Sequence, residues 1–212
     1  MQIPAGTVSL EGDLDIPEQA VGLVLFAHGS GSSRRSPRNQ SVAAVLREAR
    51  IGTMLFDLLT PEEEIEDANA GHLRFDLGLL SRRLMTVTRQ VAAHSHAKDL
   101  PLGYFGASTG SAAALVAAEA LGDLVGAVVS RGGRPDLAAQ ALPHIRAATL
   151  LIVGECDEEV LSLNREAFAQ LRCKKEFAVV PGATHLFPER GALEQVARLA
   201  SHWFLEHLKP RS

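Results

Sequence analysis

Ser108, Asp157 and His185 are the residues of this chain whose types and order could carry out nucleophilic chemistry. Ser108 lies in Gly106-Ala107-Ser108-Thr109-Gly110, after the apolar run 101–105 and before the Ala- and Leu-rich stretch 111–120. That succession reads as strand, tight turn, helix. A serine at such a turn is forced into a strained backbone with its hydroxyl projecting, and the residues two before and two after must be small. The amides of the following helix point at the same spot, where an anion would be stabilised. A serine can also simply cap a helix, but the glycines on both sides favour the reactive turn. A serine hydroxyl is a weak nucleophile until a base takes its proton and an acid orients the base.

Both partners should sit in loops at the carboxyl ends of strands, where open α/β sheets place their ligands. Two loops qualify, 154–160 with Asp157 and 181–187 with His185, giving the chain order serine, acid, histidine expected for a strand-to-helix nucleophile. Asp157 competes with Glu155, Glu158 and Glu159, and a strand-end acid can also cap the next helix. His185 competes with seven other histidines, most of them on helical patterns; it alone follows a strand through a Pro-Gly turn late in the chain. An oxyanion hole needs two amides aimed at the developing charge. The backbone N–H groups of Thr109 and of Ser30, in His28-Gly29-Ser30-Gly31-Ser32-Ser33, are the candidates. This glycine loop has neither the lysine of a phosphate-cradling loop nor dinucleotide-binding glycine spacing, so His28 reads as a brace for the loop. No His/Cys/Asp cluster has metal-ligand spacing, and the chemistry calls for no cofactor.

The elements that position these residues alternate. Segments 21–27, 51–59, 102–105, 124–130, 149–153 and 176–180 read as strands, the first of them buried on both faces. Segments 39–50, 73–93, 111–121, 163–171 and 193–208 read as helices, with Leu73, Leu77, Leu80, Leu84, Val87 and Val91 forming an amphipathic stripe. This is an α/β pattern with a mostly parallel, doubly wound sheet and flanking helices. Residues 2–16 could add an antiparallel edge hairpin. The acidic stretch 61–67 reads as an exposed loop or first helical turn, and Asn39 as the cap of the helix it begins. Residues 1–212 read as one domain, with no stretch long enough for a lid.

Composition bounds the partners. With 21 Lys and Arg against 25 Asp and Glu, the net charge of −4 offers nucleic acid no basic surface. No apolar run approaches the roughly 20 residues needed to span a bilayer, and no signal peptide is visible at the start. Two cysteines make no disulfide framework, which fits a reducing, cytoplasmic setting. Local positive charge gathers at Arg34, Arg35 and Arg38.

On the stretches 28–31 and 106–110, with Asp157 and His185, the chain resembles the α/β-hydrolase superfamily, and within it the small lid-less dienelactone hydrolase group. The stretches 28–39 and 130–136 are similar to a subgroup described only as hydrolases. The dienelactone hydrolases themselves use a cysteine nucleophile, so Ser108 shifts the implied activity to a serine esterase acting on small-molecule esters. Arg131, after the fourth of the buried strands, could grip an anionic substrate group or pair with an acid of 155–159; Arg34 and Arg38 carry the same ambiguity. A thioesterase, peptidase or lyase would use the same three residues. A catalytically silent protein binding an anionic ligand through these arginines is a further alternative. A homodimer is compatible with the sequence.

Overall fold

The computed structural model describes residues 1–209, Ala70 by its backbone only. Eight strands form one sheet: β1 Gln2–Ala5, β2 Val8–Asp15, β3 Gly22–Ala27, β4 Ile51–Phe56, β5 Leu102–Ala107, β6 Val125–Arg131, β7 Ala148–Gly154 and β8 Lys175–Val180. Their order is β1-β2-β4-β3-β5-β6-β7-β8. The pairs from β4 to β8 are parallel, and the β1–β2 hairpin joins β4 antiparallel, as residues 2–16 suggested. Every residue of β3, β4, β5 and β7 is buried, because helices cover both faces of a parallel sheet.

Six helices do the covering. On one face, α1 Pro37–Glu48 and α6 Ala192–His207 pack together, joining Val42, Ala43 and Leu46 to Val196, Ala200 and Phe204 over Val24, Phe105 and Val129. On the other lie α3 Leu77–Ala93, α4 Thr109–Leu121 and α5 Glu158–Gln170. Five of the six alanines of α4 (Ala112, Ala113, Ala114, Ala117, Ala118) are fully buried and let it lie close against the central strands. α2, Pro61–Ala70, follows β4. No lid domain is inserted among the described residues.

The helix expected over 163–171 begins earlier, at Glu158; at the starts of α1, α2 and α3 a polar side chain explains the departure from expectation. The acidic stretch is the helix α2, started by a capping box in which Thr60 and Glu63 exchange side-chain-to-backbone hydrogen bonds. The pattern over 73–93 is not one helix. Buried Asp67 accepts the amides of Leu73 and Arg74, at 2.6 and 3.3 Å, and pairs with the Arg74 guanidinium, turning 73–75 into a short 3-10 turn. Asp76 then caps α3 by accepting the Leu79 amide at 2.8 Å. Ser36, not Asn39, caps α1; Pro37 takes the first helical position and Asn39 is buried in the first turn.

Arg83 ties α3 to α2. Its guanidinium donates to both carboxylate oxygens of Glu63 at 2.6 Å and to the Leu58 carbonyl at 2.7 Å. These hydrogen bonds hold the Glu63 carboxyl below the usual carboxylate range. Replacing Arg83 by Met strands a half-buried carboxylate and a buried carbonyl, so Arg83→Met should cost about 2 kcal/mol in urea unfolding. A loss under roughly 0.5 kcal/mol would show that solvent satisfies these groups instead.

Candidate active site

Ser108 stands at the β5–α4 turn with φ 50° and ψ −123°, a left-handed conformation a side chain adopts only under constraint. The flanking glycines are required by close approach. A Cβ on Gly106 would collide with Cα of Ser111, and one on Gly110 with the carbonyl oxygens of Ala27 and His28 at the end of β3. The Ser108 amide donates to the Arg131 carbonyl at 3.2 Å, and its own carbonyl accepts Ser111 Oγ at 2.8 Å and the Arg134 amide at 3.2 Å. Ser108 holds the N-cap position of α4, yet its side chain makes no capping bond. The hydroxyl is therefore left for other chemistry.

β7 delivers the acid. Asp157 sits at the N-cap of α5 without capping it; its Oδ2 instead accepts from His185 Nδ1 at 2.6 Å. With Nδ1 donating, Nε2 keeps its lone pair, the form a general base needs. The side chain of Asp157 is 14% exposed and that of His185 38%, so the carboxylate is shielded while the imidazole is open to solvent. Glu155, a competitor for the acid's role, is engaged elsewhere: its carboxylate accepts the Gly182 amide at 2.8 Å and closes the two loops on each other. The turn carrying His185 is tight; Phe187 has φ 55° and donates its amide to Thr184.

No hydrogen bond joins Ser108 Oγ to His185 among the described residues. The two are linked through β6: Arg131 takes the Ser108 amide, and a Cβ on the next residue, Gly132, would stand 3.5 Å from His185 Nδ1. Such pairs commonly tighten only when substrate is bound.

The loop after β3 reaches Ser108 as the glycines allow; a Cβ on Gly29 would lie 3.1 Å from Ser108 Cβ. The Ser30 amide points at the start of α4, but it donates to Thr109 Oγ1 at 3.0 Å. Of Thr109, sequence reasoning used only the amide and missed this hydroxyl; the signal was a hydroxyl-bearing side chain directly after Ser108. His28 braces the loop as expected. Its Nδ1–H donates to the Gly29 carbonyl and its Nε2 accepts the Leu58 amide, both at 3.0 Å. Burial pushes its pKa down, outweighing the pull of Gly29 and the nearby acids.

The three candidate arginines part company. Arg34 is held by Glu11, Asp13 and Asp57, and its amide donates to Asp57 Oδ1 at 2.7 Å, pinning the loop to β2 and the end of β4. Arg38 lies in the first turn of α1 with its Nε buried and unpartnered. Arg131 ends β6, 6% exposed, and pairs with no acid of 155–159 among the described residues. An open cleft lined by Gly31, Arg34, Arg38, Leu59 and Glu64 continues from the loop after β3. No group of three or more His, Cys, Asp and Glu among the described residues could hold a metal ion, and none of the described helices is long and apolar enough to cross a membrane.

The same fold recurs at high sequence identity in a dienelactone hydrolase of Anabaena variabilis. That crystal structure is 54% identical to this chain with a TM-score of 0.97, over 99% of this chain and 97% of its own. The chain belongs to the dienelactone hydrolase-like group of the α/β-hydrolases. The chain also resembles the esterase domain of a Rhodothermus marinus protein, with a TM-score of 0.76 over 98% of this chain and 97% of that one; at 18% identity the likeness is one of fold. It is 56% identical over 208 residues to proteins from two strains of Mycobacterium tuberculosis, provisionally named phosphoribosyl transferases. The match takes in 98% of this chain but 46% of those proteins, so the chain spans about half the length of these curated relatives. No family model matches the chain.

The lowered pKa of His28 makes the stability of the fold depend on pH. In the unfolded chain the imidazole protonates near 6.5; in the fold it stays neutral to lower pH. The unfolded state therefore binds more protons between those values, and stability falls as pH drops below about 6.5. Between pH 7.5 and 5.5, wild type should lose more thermal stability than His28→Gln measured over the same range; equal losses would refute the assignment.

Proposed function

We propose that this hydrolase cleaves small esters through Ser108, His185 and Asp157. The observation that carries the reading is the 2.6 Å Asp157–His185 contact set, through Gly132, beside a serine strained into a turn and free of any capping bond. In the reaction, His185 Nε2 takes the hydroxyl proton as Ser108 Oγ attacks the ester carbonyl carbon. The carbonyl π electrons move to oxygen, which the amides of Thr109 and Ser30 receive; for this the Thr109 hydroxyl gives up the Ser30 amide to the substrate. Protonated His185 hands its proton to the departing alkoxide, leaving an acyl-serine. Water, deprotonated by His185, then releases the acid and restores the serine. Asp157 holds the imidazole in the right tautomer throughout. These steps use only groups of the chain and water.

A site without a lid suits short acyl groups, and the same residues would serve a thioester or amide. The transferase name of the mycobacterial relatives belongs to proteins about twice this length; the present reading concerns only the part they share with this chain. A second reading, a binding protein without catalysis, draws on the occupied Ser30 amide and the missing Ser108–His185 bond.

A fluorophosphonate probe separates the two. The catalytic reading expects an adduct on Ser108 in the folded protein and turnover of short p-nitrophenyl esters. Ser108→Ala should abolish the adduct, and Asp157→Asn should lower kcat by about 10³–10⁴-fold, since the wrong imidazole tautomer then predominates. Absence of both adduct and turnover in the wild-type protein favours binding without catalysis.

A further inference from the structure

The buried stripe of α5 runs Val160, Asn164, Ala167. Asn164 is 0% exposed and stands where a helix that needed only to pack would place an apolar residue. Asparagine is a poor residue for a helix interior, and a buried amide costs free energy unless it is hydrogen-bonded. Its neighbours are two carbonyl oxygens, so the NH2 group faces them. Nδ2 donates to the Val160 carbonyl at 2.8 Å and to the Gly133 carbonyl at 2.9 Å, while Oδ1 has no partner. The first bond stays inside α5. The second leaves the helix and crosses to the segment that follows β6.

That segment, 131–134, touches both Ser108 and His185. The Arg131 carbonyl accepts the Ser108 amide at 3.2 Å, and the Arg134 amide donates to the Ser108 carbonyl at 3.2 Å and to Ser111 Oγ at 3.1 Å. A Cβ on Gly132 would stand 3.1 Å from the His185 carbonyl. One on Gly133 would stand 2.0 Å from Ser130 Oγ and 2.1 Å from Ser111 Oγ, so the segment lies pressed on the start of α4. The acid belongs to a different element. Asp157 is the N-cap of α5, about two turns before Asn164. Two contacts fasten that end of α5 to the loop after β8: the Cys156 amide donates to the Ala183 carbonyl at 2.9 Å, and Glu155 accepts the Gly182 amide. Neither reaches the segment 131–134. The Asn164 side chain does.

We propose that Asn164 is a positioning residue: its bond to the Gly133 carbonyl sets the spacing between Asp157, at the start of α5, and the segment that backs His185 and holds Ser108. It touches no reacting atom and acts through the backbone it fastens. Its effect on catalysis rests on the hydrolase reading; its effect on the Asp157–His185 contact does not. A shift of about an ångström between base and nucleophile is enough to slow such chemistry by one to two orders of magnitude.

The test compares Asn164→Ser and Asn164→Leu in the full chain. A serine can still bond the carbonyl four residues back, that of Val160, but is too short to reach Gly133; it also keeps the test valid if the leucine variant fails to fold. Thr88→Val, which removes the buried 2.6 Å hydrogen bond between Thr88 and the Tyr104 hydroxyl, sets the scale of a purely structural loss. The first readout is the His185 Nδ1 proton, followed by NMR on protein with isotope-labelled histidine. Its exchange with water should quicken by about tenfold or more in both Asn164 variants and stay at the wild-type rate in Thr88→Val. The second is the rate of fluorophosphonate labelling at Ser108, which should fall by about tenfold or more in the Asn164 variants, with kcat on short p-nitrophenyl esters falling alongside and KM changing less than twofold. Wild-type proton exchange in a folded Asn164 variant overturns the positioning role, and so does wild-type labelling. If the wild-type protein itself is not labelled, the hydrolase reading fails, and the imidazole proton alone decides whether Asn164 sets the contact.

Discussion

The close approach of the β5–α4 turn to the end of β3 is the constraint on which the site depends. Gly110 presses against the carbonyls of Ala27 and His28, Gly106 against Ser111, and Ser108 between them is held in a left-handed conformation. Such a backbone costs on the order of 1–3 kcal/mol and persists only where its surroundings determine it. Here they do: the Ser108 amide is fixed on β6, and its carbonyl collects bonds from Ser111 and Arg134. Because Ala107 and Arg131 are register partners, the turn that exposes the serine also draws Arg131 and Gly132 to it, and Gly132 seats His185.

Most polar groups around the site position other groups. His28 spends both ring nitrogens on backbone, Arg34 spends its guanidinium on three acids, and Glu155 fastens the Asp157 loop to the His185 loop. Rigid loops matter because general-base catalysis and oxyanion binding lose much of their effect when donors and acceptors drift by about an ångström. The Thr109 hydroxyl fits the same logic. It satisfies the Ser30 amide and so holds that donor in orientation at low cost.

Much of this was legible in the chain because it is local. Apolar runs bounded by glycine marked the buried strands, and small residues around Ser108 marked the turn. Local polar competition was harder to read. Asn39 looked like a helix cap, but Ser36 with Pro37 behind it took the position. The stripe from Leu73 to Val91 looked like one helix, yet Asp67, buried upstream, captured the amides of Leu73 and Arg74 and moved the start to Leu77. A side chain that bonds backbone six or seven residues away leaves no periodic trace.

By itself the sequence determined the order of serine, acid and histidine, the α/β alternation and the strained turn, since each follows from residue size and spacing along the chain. Choosing among neighbours was left to tertiary structure. Asp157 and Glu155 are two residues apart, but only the former meets His185, because the sheet sets which oxygen faces the imidazole. Arg34 and Arg38 are four apart, but the first meets acids brought in from β2 and the end of β4, while the second, with Arg131, meets none. Charge pairing depends on distance through space, and that distance exists only once the chain has folded.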